Sequence, residues 1–93
     1  MLIISTAVRL KISKKNPPVT EEEIKQAFAN REGNYLMDRR EEHATNPPTL
    51  WFIAETNKGK RLKVCFIDTG TDIVIKSAYV PNADEIRIYA KFS

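Results

Sequence analysis

Ninety-three residues, 42% of them apolar, make one domain with a single modest core and no room for a second folding unit. Fifteen Lys and Arg against twelve Asp and Glu give a formal net charge of +3, too small a sum to establish a nucleic-acid partner by itself. One cysteine, Cys65, leaves no internal disulfide, the apolar patch at Met1 to Ile4 is too short for a signal peptide or membrane span, and zinc spacings and Gly-rich phosphate loops are absent. The expectation is a cytoplasmic protein with no membrane segment, no metal and no small-molecule cofactor.

Charge is distributed unevenly. The first twenty residues carry four basic side chains (Arg9, Lys11, Lys14, Lys15) and no acid, four of the six residues from Lys58 to Lys63 are basic, and acids gather at Glu21 to Glu23 and at Glu41-Glu42. Residues 2 to 15 read two ways. Val8, Leu10 and Ile12 alternate as in a strand, whereas Ile4, Ala7 and Val8 fall at helical spacing behind Ser5 as a cap, and a short helix after Ser5 is the expectation. Asn16-Pro17-Pro18 stops it, because proline restricts its predecessor and cannot continue a helix interior. Thr20 and Glu23 then form a capping box, Val19 can staple onto Ile24, and Ile24, Ala27 and Phe28 line one helical face. The three glutamates complement the helix dipole, which explains them without a metal or catalytic role. Gly33 stands where a left-handed residue often ends a helix.

Tyr35 to Met37 suit a short strand. Asp38 to His43 extends or ends it, with Arg39, Arg40 and His43 candidates for work at an edge or rim; His43, the one histidine, reads either as a general acid or base or as a solvated loop residue. After Asn46-Pro47-Pro48 come three runs rich in β-branched and aromatic residues, Leu50 to Ala54, Leu62 to Ile67 and Ile73 to Lys76, divided by turns at Asn57 to Lys60 and Asp68 to Thr71: a three-stranded antiparallel meander. A three-residue Asn57-Lys58-Gly59 loop with a glycine bulge, the expectation for this hairpin, puts Phe52 and Ala54 in the core, Trp51 on the face of Cys65, and Glu55 opposite Arg61; a two-residue loop would put Trp51 and Ile53 in the core instead. In the second hairpin an even loop places Phe66 opposite Ile73, Val64 opposite Ile75 and Leu62 opposite Ser77, which sets Lys63 directly across from Lys76 on the other face. Like charges so placed repel, suit an anionic ligand, and push one amine's pKa down toward neutrality; splayed into water, the same pair has no role. Trp51 reads as a stacking surface for a base or as cover for the sheet. Asn82 and Glu85 form a second capping box for a closing helix through Ile86, Tyr89 and Ala90, although Ile86, Ile88, Ala90 and Phe92 also alternate as a strand would. The fold class expected is therefore α+β in one domain over residues 1 to 93: the meander plus a short strand, N-terminal helices on one face, and a C-terminal helix.

The order of these elements resembles the BrnT-like branch of the RelE superfamily of toxin ribonucleases. The resemblance spans most of the chain and is carried by the acid-capped helix ending at Phe28, Gly59-Lys60-Arg61-Leu62 leading into a central strand, the Ile75-Lys76-Ser77-Ala78 strand end, and the closing segment with Glu85, Arg87 and Tyr89. It implies a metal-independent ribonuclease that inhibits translation, with RNA as substrate and an acidic antitoxin protein as partner. Carried over, Arg61, Lys63 and Lys76-Ser77 fall where relatives contact RNA, and Tyr89 near a terminal aromatic. Relatives often carry Lys-His before the acid-capped helix; here Lys15 precedes Asn16, so His43 or a lysine and tyrosine system has to take the acid-base role. Cleavage by a neighbouring 2′-hydroxyl needs a base, cations for the phosphate charge and a donor to the leaving oxygen. The catalytic candidates are Lys63, Lys76, His43 and Tyr89, with Tyr79 a further donor; the RNA-binding candidates are Arg61, Lys60, Arg39, Arg40, Trp51, Ser77 and Arg87. The competing reading is a non-catalytic module that binds nucleic acid or protein.

Overall fold

Helix starts follow the capping signals. In the computed structural model, which describes residues 1–39 and 46–93, Ser5 accepts a hydrogen bond from the Val8 amide and opens α1 (Thr6–Ser13), and Thr20 and Glu23 close a complete capping box at α2 (Glu21–Asn30). A second complete box, Asn82 with Glu85, opens α3 (Ala83–Phe92). Helix therefore prevails over strand in both segments that read two ways, because each has an N-terminal partner for its orphan amides.

Five strands among the described residues, β1 (Leu2–Ile3), β2 (Leu36–Met37), β3 (Thr49–Glu55), β4 (Arg61–Asp68) and β5 (Ile73–Tyr79), form one sheet in the order β1-β5-β4-β3-β2. The meander and the short strand before it are as expected. β1 was not foreseen, and it pairs parallel with β5, so the sheet is mixed rather than antiparallel throughout. Two residues are too few to show a period.

The first hairpin matches its predicted register. Trp51 faces Cys65, Phe52 faces Val64 and Glu55 faces Arg61, while Gly59 takes φ +81° in a loop closed by the Thr56 and Lys60 backbones. The second hairpin corrects the sequence reading. Asp68 pairs with Ile73 and Phe66 with Ile75, two residues along from the expected register, because Thr69 to Asp72 form the turn, held by the Asp68 carboxylate on the Gly70 amide (2.8 Å) and by Thr69 N–H on the Asp72 carbonyl (2.9 Å). A slip of two leaves the same side chains on the same face, so the hydrophobic pattern could fix parity but not position. A bulge then follows. Cys65 pairs with Ser77 and Val64 with Ala78, leaving Lys76 as the extra residue, and this turns Ala78 rather than Ser77 into the core. Lys63 consequently stands across from Tyr79, not Lys76.

Both sheet faces are covered. Phe52, Leu62, Val64, Phe66, Ile75 and Ala78 are buried with Ile12, Val19, Ile24 and Ala27, as α1 lies along β5 and α2 on β3 and β4. Phe28 anchors α2, its ring centroid 4.7 Å from Phe52 and 5.3 Å from Phe66. On the opposite face α3 lies over Trp51, Ile53 and Lys63. Among the described residues no helix is long and apolar enough to cross a membrane.

Gly33 also departs from expectation. Its φ is not positive; it is glycine because a Cβ there would lie 2.5 Å from Tyr89 Oη and 2.9 Å from Cζ. Gly33→Ala is expected to destabilise the fold by about 1–3 kcal/mol, as overpacking does. Tyr89→Phe, which removes the closest atom, should recover part of that loss in the double mutant when both are followed by urea denaturation.

Candidate functional site

Strand alternation points Trp51, Lys63 and Tyr79 toward α3, and the capping box fixes the first turn of α3 so that Glu85 reaches back to them. One carboxylate oxygen of Glu85 accepts from the Asn82 amide (3.0 Å), and the other accepts from Lys63 Nζ (2.7 Å) and from the Tyr79 hydroxyl (2.7 Å). Lys63 Nζ also lies 4.5 Å from the centroid of Trp51 and 5.6 Å from that of Tyr79, and the Trp51 ring meets Tyr89 at 5.7 Å.

These contacts set the charge states. Burial acts to lower the pKa of Lys63, whose residue is 6% exposed, but the Glu85 carboxylate, Cys65 and Tyr79 together outweigh it and hold it above the ordinary lysine value. Burial likewise acts to raise Glu85, and Lys63, the Asn82 amide and Tyr79 together hold it below the usual carboxylate range. Burial and then Glu85 push the Tyr79 phenol up. At neutral pH the cluster is an ammonium, a carboxylate and a neutral phenol, each answering another. Lys63 is thus a fixed cation, and the lowered amine expected from a facing Lys76 does not arise.

A cavity of about 780 Å³ opens against this cluster, walled by Leu36, Met37, Ile88 and Phe92, with Trp51, Lys63 and Glu85 lining it and Asp38 and Arg39 completing the lining. A second, more polar one of about 1030 Å³ lies between the end of α2, the first hairpin and α3; Arg31, Arg61, Tyr89 and Ser93 line it.

The lysines of α1 and β5 make a separate feature. Lys11 Nζ donates to the Lys76 carbonyl (2.8 Å), Lys15 Nζ lies 5.3 Å from the Tyr79 centroid, and Lys14 sits between them in sequence at the helix end. Among the described residues no carboxylate lies within 4.0 Å of Lys11, Lys14, Lys15 or Lys76, whereas Arg9 is answered by Glu21 at 2.8 Å.

The remaining sequence candidates scatter. Lys60 is held by Glu23 (3.0 Å) and the Pro18 carbonyl (2.6 Å), and Arg87 by Asp84 (2.7 Å). Tyr89 is buried against Trp51 and donates to the Asn34 carbonyl (2.9 Å); Trp51 is 8% exposed beneath Lys63, which makes it cover for the sheet rather than an open stacking surface. Ser77 is half-buried opposite Cys65, Arg61 is exposed in the polar cavity, and Arg39 is exposed beside the apolar one. Arg40 and His43 lie outside the described residues. The residues by themselves show Glu85 as a cap; its pairing with Lys63 depends on how α3 docks, and no local signal carries it. Lys14 and Lys15, with Arg9 and Lys11, read from sequence either as solvated or as contacts to phosphate. No family model, curated protein or solved structure matches the chain.

Proposed function

We propose that this protein acts on RNA in the cytoplasm, gripping the phosphate backbone with Lys11, Lys14, Lys15 and Lys76, and that it does so as a ribonuclease toxin of the BrnT-like type held in check by an acidic antitoxin protein. The observation that carries the RNA reading is four lysines without carboxylate partners among the described residues, Lys11 on α1, Lys14 and Lys15 just past its end, and Lys76 on β5, whose carbonyl accepts from Lys11 Nζ. Ammonium groups without a carboxylate partner keep their charge available to phosphate, and such contacts supply most sequence-independent nucleic-acid affinity. The toxin reading adds the order of motifs. In the cleavage it requires, Lys63 would act as a fixed cation rather than as the base, Tyr79 as a proton-bearing donor, and His43 as the candidate acid or base.

One observation favours a second reading, a non-catalytic RNA-binding module. Lys63, Glu85 and Tyr79 are bonded to one another and hold their charge states across neutral pH, so none of the three is poised for proton transfer.

Tightly induced expression separates the two, with growth and total RNA followed for wild type, His43→Ala, and the quadruple K11Q, K14Q, K15Q, K76Q variant. Arrest with RNA cleavage that both variants lose is the toxin result. RNA binding by purified wild type without arrest or cleavage, lost only in the quadruple variant, is the binding-module result. A folded wild type that neither binds nor cleaves RNA would sink both readings.

A further inference from the structure

The apolar cavity beside α3 has a charged floor. Met37, Ile88 and Phe92 are 49%, 43% and 63% exposed at its walls, while Lys63 and Glu85 below them have side chains only 7% and 19% exposed. A buried ion pair adds little net stability over apolar residues of similar volume, so such a pair at the wall of an open cavity invites a ligand.

Counting hydrogen-bonding capacity gives the ligand's chemistry. An ionised carboxylate has about four acceptor sites; Glu85 uses three, for the Asn82 amide, Lys63 and Tyr79. Lys63 has donors beyond the one given to Glu85. The floor therefore offers a donor beside an acceptor, under apolar walls, with an exposed guanidinium, Arg39, in the lining.

We infer that this cavity receives one unstacked nucleobase of an RNA strand, its hydrogen-bonding edge on Lys63 and Glu85 and its ring against Met37, Ile88 and Phe92. Every base carries a donor next to an acceptor on its Watson–Crick edge, and bases of single-stranded RNA are recognised by such edge contacts combined with side-chain stacking. The floor pair carries no net charge, which suits a neutral base better than a phosphate. Phe92, not the covered Trp51, is the stacking ring. The inference rests on the reading that the chain binds RNA.

Trp51 is the only tryptophan and lines the cavity, so its fluorescence reports occupancy. Titration with the four nucleoside monophosphates should give a saturable change, and ribose 5-phosphate should give none. Phe92→Ala, at an exposed site that the fold tolerates, should weaken nucleotide binding about five-fold or more, the range of a lost base–aromatic stack. Met37→Ala is the second wall variant and should weaken it in the same direction. Equal responses to nucleotides and ribose 5-phosphate, no saturation up to the solubility limit, or full affinity in both wall variants would overturn the base site. If wild type still binds a long single-stranded RNA in that case and the quadruple lysine variant does not, the RNA reading stands without it. Absence of RNA binding altogether removes both.

Discussion

Glu85→Ala is expected to destabilise the protein by about 3–5 kcal/mol, the cost of leaving a buried charge without its partner. Lys63 cannot follow its lost counter-ion into water, since its side chain is 7% exposed in the middle of β4. The same substitution removes the acceptor of the Tyr79 hydroxyl and one half of the capping box that starts α3. Small domains hold about 5–15 kcal/mol in total, so the variant is expected to unfold at a far lower urea concentration than wild type. Glu85→Gln separates the contributions, because glutamine still completes a capping box but carries no charge. It should fall between wild type and Glu85→Ala. Replacing both partners, Lys63→Met with Glu85→Leu, should recover much of the loss, as apolar pairs of similar volume do in place of a buried ion pair. A loss below about 1 kcal/mol for Glu85→Ala would mean that the pair is screened as surface pairs are.

The same cluster sets the pH limits of stability. Glu85 sits below its ordinary pKa in the folded state, so its contribution is present above the unfolded value and is lost as pH falls through the folded one. Glu23, where burial is outweighed by Lys60 and the Thr20 cap, has the same sign. Lys63 and Tyr79 are raised, so their contributions are present below the unfolded values near 10.5 and 10.0 and are lost as pH rises through the folded ones. Urea midpoints should therefore be flat across neutrality and fall on both the acid and the alkaline side, and Lys63→Met with Glu85→Leu should flatten both limbs.

How much of this was legible depended on the range of the interaction. Capping boxes at Thr20 and Asn82 and the glycine bulge at Gly59 act within four residues, and each was readable. The apolar face of the meander was readable too, since alternation reveals parity. The second hairpin's register was not, because a slip of two preserves that parity and the bulge at Lys76 depends on whether Ala78 or Ser77 fits under the helices. That single bulge separates the expected Lys63–Lys76 site from the observed one. Gly33 was misread for a related reason: its constraint is a contact with Tyr89, fifty-six positions away, and no local pattern encodes it. Glu85 shows both ranges in one residue, one oxygen serving a cap that sequence reveals and the other an ion pair that only the docking of α3 creates.

The lysines of α1 and β5 carry the second large effect. If each of the four neutralises one phosphate of single-stranded RNA, log affinity should fall against log salt with a slope of about −3, which is roughly fifty-fold weaker binding between 50 and 200 mM salt. Each of Lys11→Gln, Lys14→Gln, Lys15→Gln and Lys76→Gln should reduce that slope by about 0.7, and should weaken binding to a similar degree whatever the RNA sequence. Lys63→Gln should leave the slope alone, because that ammonium is already answered by Glu85 and releases no counter-ion. The contrast between Lys63 and Lys76, neighbours in the register expected from sequence but one buried in a pair and the other exposed on a bulge, is the most direct reading of the fold in solution. Filter binding over a salt series measures it. Unchanged slopes in all four single variants would move the phosphate contacts away from α1, and Arg39 and Arg61, both exposed beside the cavities flanking α3, would be the next to substitute.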